Sequence, residues 1–426
     1  MVIVKAWNKE VGQLIENKKG TILFKYSDDN LLEFSPIKMK IGNRSVQNFS
    51  HIKYQYGLPG LISDNLPGRY GIEYMDRFLF EHLKRKPTVL ERLKFLGTHT
   101  IGALEFHPSE DNTDEYKKIL SISDLYKESK NLLDMENKKL NNAQAALKTL
   151  IAISNSAGGG ARAKATVGFN KKDNTISLLR KQDEFQEGYL PVIIKYDDKD
   201  ISMYPMLNSK YKDASIPTKL EYIYYLFAKQ LDITMSECQL LVCEGHTHFL
   251  TYRFDRIKNQ RFHMHSFAGL MHINPADTTN DYIDLLRCAN KLNISSSQIE
   301  QIVKLMLFNA IFGNKDDHAA NFSFLMNNIG KWAFAPAYDL TYASNGYHQM
   351  YVGVNVLNRI TYDKLQELVK PFGISDTFLK ETIKKMIDLK HTQLVKTFLD
   401  YEIPESFAKH IIEDTKAVDE LLTKGI

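Results

Sequence analysis

The chain has 426 residues, 43% of them hydrophobic and 25% charged, so two or three soluble domains with ample core material are expected. Its 55 basic and 51 acidic residues leave a net charge of +4, too mild to make nucleic acid the main partner. The start, MVIVKAWNKE, carries no leader pattern and no window approaches about 18 consecutive apolar residues, which points to a cytoplasmic protein with no membrane partner.

Residues 2–7 (VIVKAW), 11–15 and 20–26 (GTILFKY) are short, β-branched and aromatic, and polar turns separate them, so a small antiparallel sheet is expected at the start. The stretch 57–68 is punctuated by Gly and Pro and reads as a structured loop, with helices following over 71–84 and 88–95. The basic cluster Lys84, Arg85, Lys86, Arg92 and Lys94 fits a solvated helix face or a contact for an anionic partner. Residues 109–150 turn polar and then helix-friendly, placing a domain boundary and a helical connector over 111–150.

Strand patterns resume at 164–169 (KATVGF), 175–179 (TISLL) and 190–196 (LPVIIKY). A helix fits 218–231, with Thr218 and Glu221 spaced as a capping box. Strands are expected again at 239–243 and 248–255; Cys238 and Cys243 flank an apolar run, and with Cys288 they form neither a metal-ligand spacing nor an even set for disulfides. From about 280 the pattern is helical, broken by one strand pair near 322–335. A β-rich half followed by a helical half is an α+β arrangement.

Chemistry concentrates between Ser297 and Ala343. Ser297 and Glu300 match a capping box that opens a helix with apolar Ile299, Ile302, Val303, Met306 and Ala310, and Gly313 is placed to stop it. A polar loop follows, Asn314-Lys315-Asp316-Asp317-His318-Ala319-Ala320-Asn321, then a hairpin of 322–326 and 331–335 closed by Pro336-Ala337-Tyr338-Asp339. Antiparallel strands return the chain to its starting end, so Asn321 and Asp339 should be neighbours, with Asp316 on the same loop. Hard oxygen ligands of this kind suit Mg²⁺ sharing phosphate oxygens. Asp316-x4-Asn321 is also the spacing of a protein-kinase catalytic loop, where the Asp handles the attacking hydroxyl and the Asn holds metal. The alternative is a surface turn whose polar residues cap helix and strand ends.

A phosphotransferase must also hold its nucleotide. The glycine-rich turn from Ser154 to Lys164 (SNSAGGGARAK) can present backbone N–H groups to phosphate but lacks the P-loop pattern. Lys195 ends an apolar strand, where a kinase lysine would contact phosphates; Glu221 either pairs with it or serves its capping box. The pairs His246/His248 and His263/His265 are too few for zinc, which needs three or four ligands.

With these motifs in order, GLPGLISDNLPGRYG (57–71), GGARAKA (159–165), VIIK (192–195), YRFDR (252–256), DDHAANFSF (316–324) and PAYDL (336–340), nearly the whole chain resembles the HipA family of bacterial serine/threonine kinases, the toxin halves of toxin–antitoxin modules. The resemblance implies a protein-kinase-like two-lobed core behind a small β-containing domain: 1–110 as the amino-terminal domain, 111–150 the connector, 151–260 the β-rich lobe and 261–426 the helical lobe. It implies ATP and Mg²⁺ as cofactors, Asp316 as the catalytic aspartate, and Asn321 and Asp339 as metal ligands. Gly159, Gly160, Ala161, Arg162, Ala163 and Lys164 would cover the phosphates and Lys195 would bind them. Tyr252, Arg253 and Phe254 would form the adenine-reading hinge, and His318, Ala319, Ala320, Asn321 and Tyr338 would complete the nucleotide pocket. The implied substrate is an aminoacyl-tRNA synthetase, whose phosphorylation arrests growth. The implied partner is a HipB-like helix-turn-helix antitoxin that carries the complex to operator DNA. Two positions depart from the family pattern: Ala320 stands where a lysine is common, and Ala157 where many relatives carry an autophosphorylated serine, a role that falls to Ser156 or else Ser154. Those departures favour a pseudo-kinase co-repressor or scaffold as the second reading; a metal-dependent hydrolase built on Asp316, Asp317 and His318 is the third.

Overall fold

Strict alternation builds the first sheet: Val2, Val4 and Ala6 are buried while Ile3 and Lys5 are half-exposed. This strand, β1 (Val2–Ala6), turns through Trp7 and Asn8, both at positive φ as a two-residue hairpin turn requires, into β2 (Lys9–Glu16). With β3 (Ile22–Tyr26), β4 (Gln47–Asn48) and β5 (Leu104–His107), the sheet runs β4-β3-β2-β1-β5 and is antiparallel throughout. The computed structural model describes residues 1–109, 119–121, 164–177, 187–197 and 201–426, apart from 203, 205, 208–210, 212, 213, 259 and 345. Most of the expected connector over 111–150, together with Gly159, Gly160, Ala161, Arg162, Ala163, Ser154 and Ser156, lies outside the described residues.

The stretch read as a loop over 57–68 contains a one-turn helix, α1 (Gly60–Ser63). Its glycine is there for proximity: a Cβ on Gly60 would sit 2.0 Å from the carbonyl oxygen of Gly269, so the two backbones touch. Then come α2 (Arg69–Leu83) and α3 (Val89–Leu96), the second opened by a full Thr88–Glu91 capping box.

The second sheet collects β6 (Ile119–Ser121), β7 (Lys164–Asn170), β8 (Thr175–Ser177), β9 (Leu190–Lys195), β10 (Cys238–Cys243) and β11 (His246–Tyr252) in the order β10-β11-β9-β7-β8-β6, again antiparallel. Helix α4 (Ile216–Gln230) packs on β10 and β11. It begins two residues before the expected start, after Ser215 at φ +52°, and the Thr218–Glu221 capping box does not form. Thr218 instead donates to the carbonyls of Ser215 and Thr247, and Glu221 turns toward β9.

The remainder is helical: α5 (Phe267–Met271), α6 (Tyr282–Lys291), α7 (Ser296–Phe312), α8 (Tyr362–Val369), α9 (Asp376–Asp400) and α10 (Glu405–Thr423). Helix α7 is central. Its apolar residues are buried on all sides, it packs against α6, α9 and α10, and Gly313 at φ +69° ends it as expected. Its start is Ser295, without a side-chain cap, so the Ser297–Glu300 box is also not formed. The fully buried Lys390 ammonium donates to the Ile311 carbonyl at the far end, answering one of the acceptors a helix terminus leaves open. The expected hairpin is present as Ser323–Met326 and Trp332–Phe334, joined by His263–Ser266 into three strands. Short strands at Asn280–Asp281, Met350–Val352 and Asn355–Val356 also interrupt the helical half; they are too brief to leave a pattern. The fold is α+β, a β-rich lobe and a helical lobe behind a small β domain, sharing one apolar core from Val2 to Leu422. Among the described residues no helix is long and apolar enough to cross a membrane.

Candidate active site

The hairpin brings the two ends of the motif together. Phe324 pairs with Phe334, the Ala335 N–H donates to the Ser323 carbonyl, and the Tyr338 hydroxyl donates across the mouth to the carbonyl of Ala320 at 2.7 Å. The residue before Asp339 is thereby bonded to the residue before Asn321. Asp339 itself sits at φ +59°, a sparsely populated region for a residue with a Cβ, held there by the chain on both sides.

Lys195 reaches this mouth from the other lobe. Its ammonium donates to Glu221 Oε1 at 2.6 Å and to Asp339 Oδ1, so β9, α4 and the segment after the hairpin meet at one cation. Burial alone would lower the Lys195 pKa, but Asp339 and Glu221 outweigh it and hold the ammonium charged. Burial likewise opposes the Asp339 carboxylate, yet Lys195 and Lys164 keep it well below the usual carboxylate range. Lys195 thus takes its pair with Glu221, in place of the capping box.

Asp316 behaves in the opposite way. Burial raises its pKa, and although His318 pulls downward, the neighbouring charges of Asp339 and Asp317 push it further up. Asn321 pins the loop by donating from Nδ2 to the Asp316 carbonyl at 2.7 Å. Its other terminal atom, Oδ1, is buried and without a hydrogen-bond partner among the described residues. A buried amide oxygen left open one residue from the Tyr338–Ala320 bond, with the ionised Asp339 one residue beyond that bond on the other strand end, is a donor set that suits Mg²⁺, which takes few protein ligands and fills its shell from phosphate and water. Asp317 faces away, fully buried, with both oxygens engaged by Tyr282, His348 and Gln349. It is not available to an ion in the cleft, which removes one ligand from the hydrolase arrangement. Among the described residues no three or more His, Cys, Asp or Glu side chains are grouped to hold a metal, the two histidine pairs included.

Two cavities meet here. The first lies between the lobes and is lined by Lys164, Lys195, Glu221, Tyr252, Arg253, Phe254, Tyr338 and Asp339, so these expected nucleotide residues share one cleft. Within the expected hinge, the N–H of Tyr252 donates to Glu237 and that of Arg253 to Pro191, leaving the Phe254 N–H uncommitted among the described residues. The Arg253 guanidinium is buried against Asp255. The second cavity is larger and holds Asp316, His318 and Ala320 on one side and Tyr54, Tyr56, Asp64 and Pro67 of the amino-terminal domain on the other. His318 and Ala320 line this second cavity with Asp316 and not the first, and Ala319 is buried in the core.

Sequence reasoning missed this wall. The GLPGLISDNLPG stretch docks on the helical lobe: Asp64 accepts from the Ser266 N–H at 2.7 Å and its hydroxyl at 2.9 Å, and bonds His265 Nδ1 at 2.6 Å. The one available signal was the close-packed Gly and Pro, which imply backbone contact but not its partner.

Residues 2–107 match the HipA N-terminal domain model and residues 156–415 the HipA-like C-terminal domain model. A chain of the Shewanella oneidensis MR-1 toxin–antitoxin complex of HipA, HipB and operator DNA shares the fold, with a TM-score of 0.67 over 99% of this chain and 97% of that one at 16% identity. The Helicobacter pylori proinflammatory kinase CtkA aligns with a TM-score of 0.37 and 13% identity, over 57% of this chain and 92% of its own. No curated protein matches the sequence.

Proposed function

The chain belongs to the HipA family, and we propose that it is an ATP- and Mg²⁺-dependent serine/threonine protein kinase, the toxin half of a toxin–antitoxin module. One observation carries the reading: Lys195, paired with Glu221, meets Asp339 at the mouth where Asp316 and the open Asn321 oxygen converge. In this reading Asn321 and Asp339 hold Mg²⁺, which when bound neutralises phosphate charge. Lys195 and Lys164 place the phosphates, and the Phe254 N–H faces the base. Asp316, its carboxylate kept basic by burial, accepts the proton of the attacking hydroxyl as that oxygen bonds to the γ-phosphorus and ADP leaves. The protein acceptor would enter through the larger cavity. Its proposed class is an aminoacyl-tRNA synthetase, with a HipB-like antitoxin as cytoplasmic partner and operator DNA reached through that antitoxin; the Shewanella complex supports the latter pair. Autophosphorylation would fall on Ser156 or Ser154.

The test is transfer of label from γ-labelled ATP to the chain itself or to co-purified protein. Label on the wild type, absent from Asp316→Gln, is expected. Nucleotide binding without any transfer would instead favour the scaffold reading that Ala320 raises.

A further inference from the structure

Asp316 and Asp317 are adjacent, yet the first lines the larger cavity while the second is buried. Asp317 Oδ2 accepts from the Tyr282 hydroxyl at 2.7 Å and from His348 Nδ1 at 3.0 Å, and Oδ1 accepts from the Gln349 N–H at 2.7 Å. Tyr282 opens α6, and its hydroxyl accepts in turn from Asn309 Nδ2, in the last turn of α7, at 3.0 Å. One buried carboxylate therefore ties the catalytic loop to two helices and to the segment 348–349. Gln349 lines the same cavity as Asp316, so this carboxylate joins the proposed base to a second segment lining its own cleft. None of the groups it bonds lines the nucleotide cleft.

We infer that Asp317 is a positioning residue: it sets the separation between Asp316 and the 348–349 wall, and with it the place where the acceptor hydroxyl sits. The inference rests on the phosphotransferase reading above. Hydrogen bonds to a buried carboxylate are strong and directional, and a misplacement of about 1 Å at a reacting centre lowers the rate on the order of 10²-fold. In Asp317→Asn the amide nitrogen would face donors in either orientation, Tyr282 and His348 in one and the Gln349 N–H in the other, and the clamp would open.

The experiment uses the full chain and counts functional sites by binding of a fluorescent Mg-ATP analogue. ATP turnover and self-labelling are then expressed per nucleotide site. Asp317→Asn should bind the analogue within about twofold of wild type while kcat per site falls on the order of 10²-fold, with KM for ATP unchanged. Tyr282→Phe, which keeps the ring and removes one donor, should lose roughly three- to tenfold per site and covers the case in which the first variant folds poorly. A merely structural role would lower the number of nucleotide sites and leave the rate per site intact; that result overturns the inference alone. A wild type that binds the analogue and transfers nothing overturns the phosphotransferase reading, and the inference with it.

Discussion

Replacing Lys195 by Met keeps the length of the stem and deletes the cation at the centre of the site. The two carboxylates it serves are not equivalent: the Glu221 side chain is 6% exposed and that of Asp339 is 29% exposed. A pair open to water contributes about 0–1 kcal/mol, whereas deleting one partner of a buried pair costs about 3–5 kcal/mol. Glu221, the more deeply buried of the two, therefore sets the larger part of the loss. Because other interactions of Glu221 remain, the low end applies, about 3 kcal/mol. The assay is thermal and urea unfolding of the wild type, Lys195→Met, Glu221→Leu and the double variant. If stranded charge is the cause, the double variant is more stable than the sum of the single losses predicts, by at least about 1 kcal/mol. A single-variant loss below about 1 kcal/mol, or strictly additive losses, would refute the charge argument and leave only packing of the stem.

The acid limb of ATP turnover should lie above the ordinary aspartate range, because Asp316 must be ionised to accept a proton and burial raises its pKa; a pH profile of kcat/KM for the wild type checks this, and a limb at the ordinary value contradicts it. Helix α3 should lose its cap in acid. The Glu91 carboxyl is held by Arg85, against the opposing effect of burial, at about 2 instead of 4.5, so its contribution is complete above about pH 4.5 and disappears as pH falls toward 2. Urea midpoints across that window should fall more steeply for the wild type than for Glu91→Gln. Gly60→Ala should destabilise the docking of the amino-terminal domain by about 1–3 kcal/mol, since the added methyl meets the Gly269 backbone, and hydrogen exchange should rise first over residues 57–68 and 264–271.

Period and punctuation made much of the fold legible. The strands from Val2 to Tyr26, the hairpin after Asn321, and the end of α7 at Gly313 all follow from patterns within a dozen residues. Helix starts were read less well. Thr218–Glu221 and Ser297–Glu300 have the spacing of a capping box, as does Thr88–Glu91, but only the last forms one. At Glu221 a lysine 26 residues upstream wins the carboxylate, and no local rule sees that far. The same limit hid the contacts that seat the amino-terminal domain: Trp7 Nε1 donating to the Arg261 carbonyl, the Arg253–Asp255–Arg256 cluster accepting the Gly102 N–H, and Asp64 on Ser266. For the site, residue types and spacing pointed to the mouth of the hairpin. They did not reveal that Asp317 points inward, because adjacent residues on a loop share no fixed direction.

The central claim is that Asn321 and Asp339 are the protein ligands of one Mg²⁺ beside Lys195. A crystal structure of the chain with Mg²⁺ and a non-hydrolysable ATP analogue tests it most directly. The account predicts the ion on Asn321 Oδ1 and an Asp339 carboxylate oxygen, with the Lys195 ammonium on phosphate and still bonded to Glu221. An ion held by other side chains, or a nucleotide bound outside the cleft between the lobes, would contradict it.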